Sequence, residues 1–267
     1  MVDRIIFLGT GGGRIVLANQ LVATGGFVIQ TEGKQIWIDP GPGALVRAKQ
    51  FGVRPQNTDI IFVSHHHLDH SNDLNAVIDA MTIGGIQKKG ILISTPTTID
   101  GTGEDGPILL KSHRKFLSEL YILKTGESIQ IKNFRFVATY TDHDVEYANG
   151  LKLETPKFTL SYVGNTAPLI DKLAEEHHGA DILIMDVLKP GKQTWKTHFC
   201  TQDAINLANK VKPQLSILTH FGAKMISEKP IFEARNVQNE TGIRTIAAQD
   251  GMQIDLTEFK TVQKKLT

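Results

Sequence analysis

The stretch SHHHLDHSND, at positions 64–73, constrains the possible fold more than any other part of this 267-residue chain. It places four histidines and two aspartates within ten residues, and it directly follows the apolar run DIIFV. A short apolar run rich in β-branched and aromatic residues is typical of a buried strand. The polar cluster therefore occupies the loop just past the C-terminal end of a predicted strand.

Within this loop, the spacing determines which side chains can meet. Alternate residues of an extended segment share a face, so His65 and His67 point together while His66 points away. Asp69 and His70 follow as the loop turns into a helix. Imidazole nitrogen and carboxylate oxygen hold Zn²⁺ in an open, reactive geometry, and two pairs of such ligands suit two metal ions. A histidine-rich surface loop is the alternative, but further candidate ligands follow later predicted strands.

The overall composition is that of an ordinary globular protein. The net charge is +1 and 40% of the residues are hydrophobic, which gives no support for a strongly electrostatic nucleic-acid binder. The single cysteine, Cys200, excludes an internal disulfide framework and favours a cytoplasmic location. The sequence has no apolar run long enough for a transmembrane helix, and its first residues lack the pattern of a signal peptide. We expect one domain over residues 1–267 that does not associate with membranes.

Short apolar runs separated by turns predict a mixed α/β chain. The predicted strands are 4–9, 26–39 (a hairpin around Glu32 and Gly33), 58–64, 90–95, 127–131, 134–140, 157–164, 180–187 and 214–221, with a terminal hairpin at 245–256. The predicted helices are 41–52, 72–85, 116–123, 167–177 and 201–211. Residues 96–113, rich in Thr, Gly and Asp, predict a loop that is specific to the substrate of this protein. Hairpins in each half, with helices interleaved, predict a four-layer αββα sandwich.

The motif His65-x-His67-x-Asp69-His70 resembles the signature of the metallo-β-lactamase superfamily. The resemblance extends over nearly the whole chain. It implies an αββα fold with a metal site at the edge of the sandwich.

The same resemblance implies three later ligands, which are His143 in YTDHD, Asp186 in ILIMD and His220 in SILTHFG. By resemblance, one ion is bound by His65, His67 and His143, the other by Asp69, His70 and His220, and Asp186 bridges them. A carboxylate directly after ILIM is costly to bury unless it is paired or binds a metal ion, which favours this role over a turn cap. We therefore expect a full set of seven ligands and two divalent ions, Zn²⁺ first, with Mn²⁺ or Fe²⁺ as alternatives.

Other polar residues fit supporting or surface roles. Those predicted to support the ligands or to face solvent are Asp39, Asp142 and Asp144. Those predicted to lie on the surface are His113, His177 and His178. In YVGNT, Asn165 stands where the superfamily often has an aspartate, and we expect it to support the ligands less firmly.

The segment 189–222 resembles one branch of the metallo-β-lactamase superfamily in particular. His198 precedes a predicted helix that leads to the strand ending at His220, which is similar to the C-terminal motif of ribonuclease Z and its phosphodiesterase relatives. The opening LGTGGG followed by Arg14 is similar to that branch too. The resemblance implies that His198 contacts the scissile phosphate as a general acid or electrostatic stabiliser, the alternative being a helix-capping role. The lysine-rich loop 189–197, with Trp195, either meets phosphate and stacks a base or is simply solvated.

These features favour a hydrolase. Two metal ions about 3.5–4 Å apart can hold a hydroxide as the nucleophile, so no serine or cysteine is needed. The sequence shows no serine or cysteine triad, and GTGGGR lacks the Gly-Lys-Ser/Thr of a phosphate loop. The predicted catalytic residues are His198 and the ligand Asp69. We expect a dinuclear phosphodiesterase that acts on a small phosphodiester or nucleotide.

Other functions stay open. The nearest is tRNA 3′-end cleavage, with RNA as substrate, although the stretch between His143 and Asp186 has room for only a hairpin and one helix and not for a tRNA-gripping arm. Thioester or lactone hydrolysis is more distant, because His198 is a phosphate-directed feature. A metal-stabilised scaffold without activity is the non-enzyme alternative. We expect a homodimer, since dimers are the commonest assembly.

Overall fold

Two β-sheets packed face to face form the centre of the computed structural model, which describes residues 3–257. Residues 1–2 and 258–267 of the predicted domain lie outside the described part. The strands are β1 Arg4–Phe7, β2 Phe27–Thr31, β3 Lys34–Ile38, β4 Ile60–Val63, β5 Ile91–Ser94, β6 Glu119–Ile122, β7 Ser128–Ile131, β8 Phe134–Thr139, β9 Gly150–Glu154, β10 Thr159–Tyr162, β11 Ile182–Lys189, β12 Phe199–Cys200, β13 Leu215–Thr219, β14 Thr245–Ala247 and β15 Gln253–Asp255.

Helices lie between and outside these strands. They are α1 Arg14–Asn19, α2 Ala44–Gln50, α3 Leu68–Ser71, α4 Leu74–Thr82, α5 Pro96–Asp100, α6 Lys111–Arg114, α7 Ile170–Glu176, α8 Thr201–Val211, α9 Ala223–Ser227 and α10 Pro230–Thr241, with a 3₁₀ turn at Pro55–Asn57. Buried residues of α2 and α4 pack on the outer face of the first sheet, and those of α7, α8 and α10 pack on the second. The order of layers is therefore αββα, as predicted.

The strand order brings several C-terminal ends to one edge. The first sheet runs β15-β1-β2-β3-β4-β5-β6, and the second runs β14-β13-β11-β10-β9-β8-β7, with β12 beside β11. Strands β3 to β6 are parallel, and β1 points the same way because β2 is antiparallel to both of its neighbours. In the second sheet, β8, β10, β11 and β13 share one direction for the same reason. Loops that follow these strands meet at one edge of the sandwich.

The core between the sheets is built from apolar side chains of both inner faces. Strand β4 (IIFV) and strand β13 (LSILT) are buried at every position, as expected for parallel strands covered on both sides. The inner faces interdigitate through Phe7, Phe62, Phe136, Leu153 and Ile184, all of which are almost fully buried. Burying each such side chain contributes roughly 1.5–3 kcal/mol, so this layer holds the two sheets together.

Most predicted elements are confirmed, and two are wrong. The hairpin over 26–39 is present as β2 and β3, with Glu32 and Gly33 at positive φ in its turn. The sequence predicts a helix over 116–123, but strand β6 lies there and pairs with β5. The predicted hairpin at 245–256 is two separate strands, because β14 joins β13 in the second sheet and β15 joins β1 in the first.

The segment 96–113, predicted as a loop, contains the short helices α5 and α6. None of the helices within residues 3–257 combines the length and the apolar character needed to cross a membrane.

His177, predicted to lie on the surface, is fully buried at the end of α7, whereas His178 is exposed as predicted. The prediction for His177 is wrong because the chain turns directly after α7, where the His177 backbone bonds to those of Leu173 and Ala180, and the imidazole is buried there. Within the described part, neither ring nitrogen has a hydrogen-bond partner. Burial, with a smaller effect of Lys152, lowers the pKa of His177 to about 3.

We predict that His177 makes the fold less stable in mild acid. The unfolded imidazole has a pKa of about 6.5, so the unfolded chain binds a proton that the folded chain rejects as the pH falls below that value. Between pH 7.5 and 5.5 the free energy of unfolding should fall by about 1.4 kcal/mol from this residue. Chemical denaturation at both pH values should show this extra loss in the wild type and in His178→Leu, the exposed control, but not in His177→Leu. An equal pH dependence in all three proteins would contradict the prediction.

Candidate metal and catalytic site

The predicted ligands meet at the edge of the sandwich where the parallel strands end. Residues 65–70 follow β4 of the first sheet, His143 follows β8 of the second sheet, and His220 follows β13. Side chains far apart in sequence therefore lie together because their strands point the same way.

Three imidazoles form one cluster, here called the three-histidine group. His65 Nε2 lies 3.1 Å from His67 Nδ1, which lies 3.3 Å from His143 Nε2. Nitrogen donors held tetrahedrally ~2.0–2.1 Å from one Zn²⁺ lie roughly 3.3–3.4 Å apart. The spacing of these three nitrogens therefore fits a single divalent ion between them.

Asp69, His70 and His220 form a second cluster, here called the Asp69 group. His220 Nε2 lies 3.1 Å from His70 Nε2 and 3.3 Å from Asp69 Oδ2. The ring centroids of His65 and His70 are 4.2 Å apart, so the two groups are neighbours. Six of the seven predicted ligands thus lie in two adjacent groups, and this cluster within this fold indicates divalent metal binding.

Asp186, predicted to bridge the two ions, lies outside both groups. Its carboxylate accepts a hydrogen bond from the Tyr162 hydroxyl at 2.8 Å. The residue beside the Asp69 group is Asn165, whose Nδ2 lies 3.1 Å from His70 Nε2 and 3.4 Å from His220 Nε2. The bridging role of Asp186 stays a prediction, because its carboxylate lines the same small pocket as Asp69, His70 and His220. Asn165 reaches the two imidazoles because β10 ends shortly before it.

Asp39 connects the two groups, as the sequence predicts for a supporting residue. Its carboxylate accepts hydrogen bonds from the Ser64 backbone and hydroxyl, both at 2.7 Å, and from the Tyr162 hydroxyl at 2.9 Å. It also lies 2.8 Å from His70 Nδ1, while Ser64 Oγ lies 3.0 Å from His65 Nδ1. These contacts hold both rings by Nδ1 and leave Nε2 for a metal ion. Tyr162 could not be recognised from the sequence, because a tyrosine in an apolar strand is more often a core residue.

The backbone around the site is strained or crowded. Asp39 and His220 adopt positive φ values of 50° and 58°, and such non-glycine residues cluster at functional sites. A Cβ atom on Gly12 would lie 2.1 Å from the His220 ring, so only glycine lets the loop pass so close. The next residue, Gly13, donates its backbone N–H to Asp69 Oδ2 at 2.8 Å. The glycine run in LGTGGG therefore shapes the site.

The side chains of the two groups differ in the direction of their pKa shifts. Burial lowers the pKa of His65 well below its usual value and that of His143 to about 4, so both imidazoles are neutral at pH 7. Burial opposes protonation of His70 too, but Asp69 and Asp39 outweigh it and raise its pKa to about 9. Burial alone would raise the pKa of Asp69. The neighbouring imidazoles of His70 and His220 outweigh burial and hold this pKa well below its usual value. A metal ion in the Asp69 group would therefore replace a proton on His70.

His198 lies over both groups, against one residue of each. Its ring is 5.0 Å from that of His143 in an edge contact and 5.8 Å from that of His220 in a stacked contact. Nδ1 lies 3.1 Å from Thr197 Oγ1, which leaves Nε2 as the nitrogen that can face a substrate. Burial, with the nearby imidazoles of His220 and His143, lowers the pKa of His198 to about 2, so the ring is neutral.

A cleft of about 1100 Å³ opens above the two groups. Its wall includes His67, Asp69 and His198 from the site, and the cations Arg14, Lys189 and Lys224. Exposed apolar and aromatic side chains, among them Ile15, Leu68 and Trp195, also line it. The segment 96–113 contributes Asp105, Gly106 and Ile108 to the wall, so the cleft lining combines cations, carboxylates and apolar groups.

The remaining predicted residues lie at the margin of the site. His66 faces away, as predicted, and its Nδ1 lies 3.1 Å from Thr97 Oγ1. Asp142 is exposed. Asp144 is also largely exposed, but its Oδ1 lies 3.0 Å from His143 Nε2, beside the three-histidine group.

The sequence of this chain is similar to those of known proteins. The model of a family described as the beta-lactamase superfamily domain matches residues 34–221. An uncharacterized protein of Methanocaldococcus jannaschii, MJ1374, is 36% identical over 96% of this chain and 96% of its own. A ribonuclease Z of Methanopyrus kandleri is 22% identical over 93% of this chain and 96% of its own.

Solved structures share the fold. The metallo-beta-lactamase fold protein YhfI of Bacillus subtilis superposes with a TM-score of 0.77 at 18% identity, covering 96% of this chain and all of that one. A diphosphatase from the PhnP family superposes with a TM-score of 0.66 at 17% identity, covering 95% and 97%. At these identities the likeness is one of fold.

We predict that Asp39 supports metal binding through His70. Asp39→Asn keeps the size of the side chain but removes the charge that faces His70 Nδ1, and zinc affinity should fall roughly 10–100-fold. Titration of metal-stripped protein against a competing zinc chelator measures this change. Asp142→Asn, an exposed aspartate next to His143, is the matched control and should bind zinc like the wild type. Unchanged affinity in Asp39→Asn would show that the Asp39 contacts do not support the ligands.

Proposed function

Because this chain belongs to the metallo-β-lactamase superfamily, in its ribonuclease Z-like branch, we propose that it is a dinuclear metal-dependent phosphodiesterase. The three-histidine group would hold one ion and the Asp69 group the other. Divalent ions at these positions supply Lewis acidity to a phosphate oxygen and lower the pKa of a bound water. The protein's own contribution is to position the ligands, to contact the phosphate and to select the rest of the substrate.

The observation that carries this proposal is the position of His198. It covers the junction of the two groups and lines the cleft, so a phosphate that reaches both groups would also meet this ring. With Nδ1 held by Thr197, a neutral imidazole can donate from Nε2 to a phosphate or leaving-group oxygen. His198 is therefore better suited to donate a hydrogen bond to the negative charge that develops in the transition state. It is less suited to act as a general acid, because that role requires a ring that is already protonated.

The cleft supports a small substrate. The three cations on its wall suit a phosphate, and its volume suits a nucleotide-sized ligand. Between His143 and Asp186 the chain forms β9, β10 and α7, which supports the expectation that no tRNA-gripping arm is present. The diphosphatase neighbour also acts on phosphorus. The ribonuclease Z relatives favour RNA cleavage as the second candidate.

We predict metal-dependent hydrolysis of bis-p-nitrophenyl phosphate by protein reconstituted with Zn²⁺ or Mn²⁺. Removing the Nε2 donor in His198→Ala should lower kcat roughly 10²–10³-fold, as loss of a single transition-state donor does elsewhere. The release of p-nitrophenol measures turnover, and metal content is determined in parallel. His178→Ala, an exposed histidine, is the control.

Equal turnover by wild type and His198→Ala with equal metal content would remove His198 from the mechanism. Inactivity on diesters with turnover of thioesters or lactones would instead assign the protein to acyl hydrolysis. Cleavage of precursor tRNA but of no small diester would favour the RNA nuclease.

The lysine-rich loop carries a candidate base-stacking residue, Trp195. Trp195 and His198 form an antiparallel bridge, so their side chains project on the same side of a tight hairpin. The indole is half-exposed at the cleft wall, with Lys189 Nζ 4.9 Å from its centre. A nucleotide with its phosphate at His198 would have its base near this ring. We therefore include a nucleobase in the proposed substrate class.

We predict that adenosine 5′-monophosphate quenches the fluorescence of Trp195, because a stacked base contacts the indole. The only other tryptophan, Trp37, is fully buried and gives a constant background. Ribose 5-phosphate, which lacks the base, should quench little, and Trp195→Phe should show no quenching. Stacking contributes about 1–3 kcal/mol per base, so Trp195→Ala should weaken binding roughly tenfold by calorimetry. Equal affinity of Trp195→Ala and wild type for this nucleotide would show that Trp195 does not stack on the base and that the loop is simply exposed to solvent.

A further inference from the structure

Asn165 is a buried amide with an unusual environment. Its side chain is almost fully buried, and Nδ2 points at the Nε2 atoms of His70 and His220. Its Oδ1 has no hydrogen-bond partner within residues 3–257. Buried amide oxygens are normally paired, so this residue lacks a partner that would satisfy it.

A metal ion in the Asp69 group would supply that partner. A half-turn of the amide places Oδ1 where Nδ2 lies, about as far from the two imidazole nitrogens as these are from each other. An amide oxygen is a common ligand of divalent cations, but unlike a carboxylate oxygen it carries no net charge.

The charges around the two groups are unequal. The Asp69 group contains a buried carboxylate, and Asp39 lies directly behind its His70. The three-histidine group consists of imidazoles and contains no carboxylate, and it reaches Asp39 through the Ser64 hydroxyl. Its nearest carboxylate, Asp144, has a side chain that is 57% exposed, so water screens the charge.

We propose that Asn165 is a neutral ligand of the Asp69 group and that the chain therefore binds two divalent ions with unequal affinity. The first ion occupies the Asp69 group, and the second binds the three-histidine group at least roughly tenfold more weakly. Two such ions a few ångströms apart repel each other, and a neutral amide offsets less of that repulsion than a shared carboxylate would. This inference rests on the proposed metal centre.

The experiment compares wild type with Asn165→Asp and Asp186→Asn, each stripped of metal. Zinc affinities are measured by titration against competing chelators, and zinc content is measured after gel filtration without added metal. We expect about one retained zinc per chain in the wild type and about two in Asn165→Asp, whose second affinity rises roughly tenfold. Asp186→Asn keeps the size and the hydrogen bond to Tyr162, so it should match the wild type. Circular dichroism of each metal-free variant checks that it is folded.

Each other outcome overturns the inference in a recognisable way. Two zinc ions of equal affinity in the wild type would show that Asn165 does not weaken the second position. Loss of the second zinc in Asp186→Asn, with Asn165→Asp unchanged, would identify Asp186 as the bridge after all. The absence of bound zinc in all three folded proteins would reject the metal centre itself, and the proposed function with it.

Discussion

The site depends on one buried carboxylate, that of Asp39, which holds elements of both sheets at the same edge. It follows β3 in the first sheet, accepts a hydrogen bond from Tyr162 of β10 in the second, and contacts His70 after β4. A buried carboxylate is costly unless it is fully hydrogen-bonded, and here four contacts satisfy it. The same contacts hold the Nδ1 atoms of His70 and, through Ser64, of His65, so that the Nε2 atoms of these two rings face the site. One set of hydrogen bonds thus links the two sheets at this edge and orients two of the candidate ligands.

The αββα layers were predictable because apolar strands and amphipathic helices leave a periodic signal in the sequence. The six clustered ligands were predictable because polar residues after a buried strand stand out. The helix predicted at 116–123 was wrong because FLSELYIL is equally compatible with either period, and pairing with β5 decided it. The bridging role of Asp186 stays a prediction, because the end of β11 is set by its contact with β12, which no local pattern reveals. The contacts of Asn165 with His70 and His220 were not predictable, since they depend on where β10 ends.

Different parts of the fold carry the proposed metal binding and the proposed substrate contacts. The candidate ligand histidines follow directly after strands of the two sheets, with His70 in the short helix α3, so the sheets determine their spacing. His198 and Trp195 lie on a short hairpin above them, where exchange of a few residues would alter the substrate without disturbing the ligands. This arrangement is consistent with a superfamily in which one scaffold serves relatives with different substrates.

The pairing of β15 with β1 links residues at opposite ends of the described chain, with Arg4 opposite Asp255. During synthesis, β1 is made long before β15, so one of its two hydrogen-bonding edges stays unpaired until residues 253–255 have been made. The first sheet reaches its full set of described strands only then. Contacts of such long sequence separation also slow folding, because the loop must close before the pairing stabilises it. Strand β15 is therefore the element that covers the otherwise unpaired edge of β1 in the described structure.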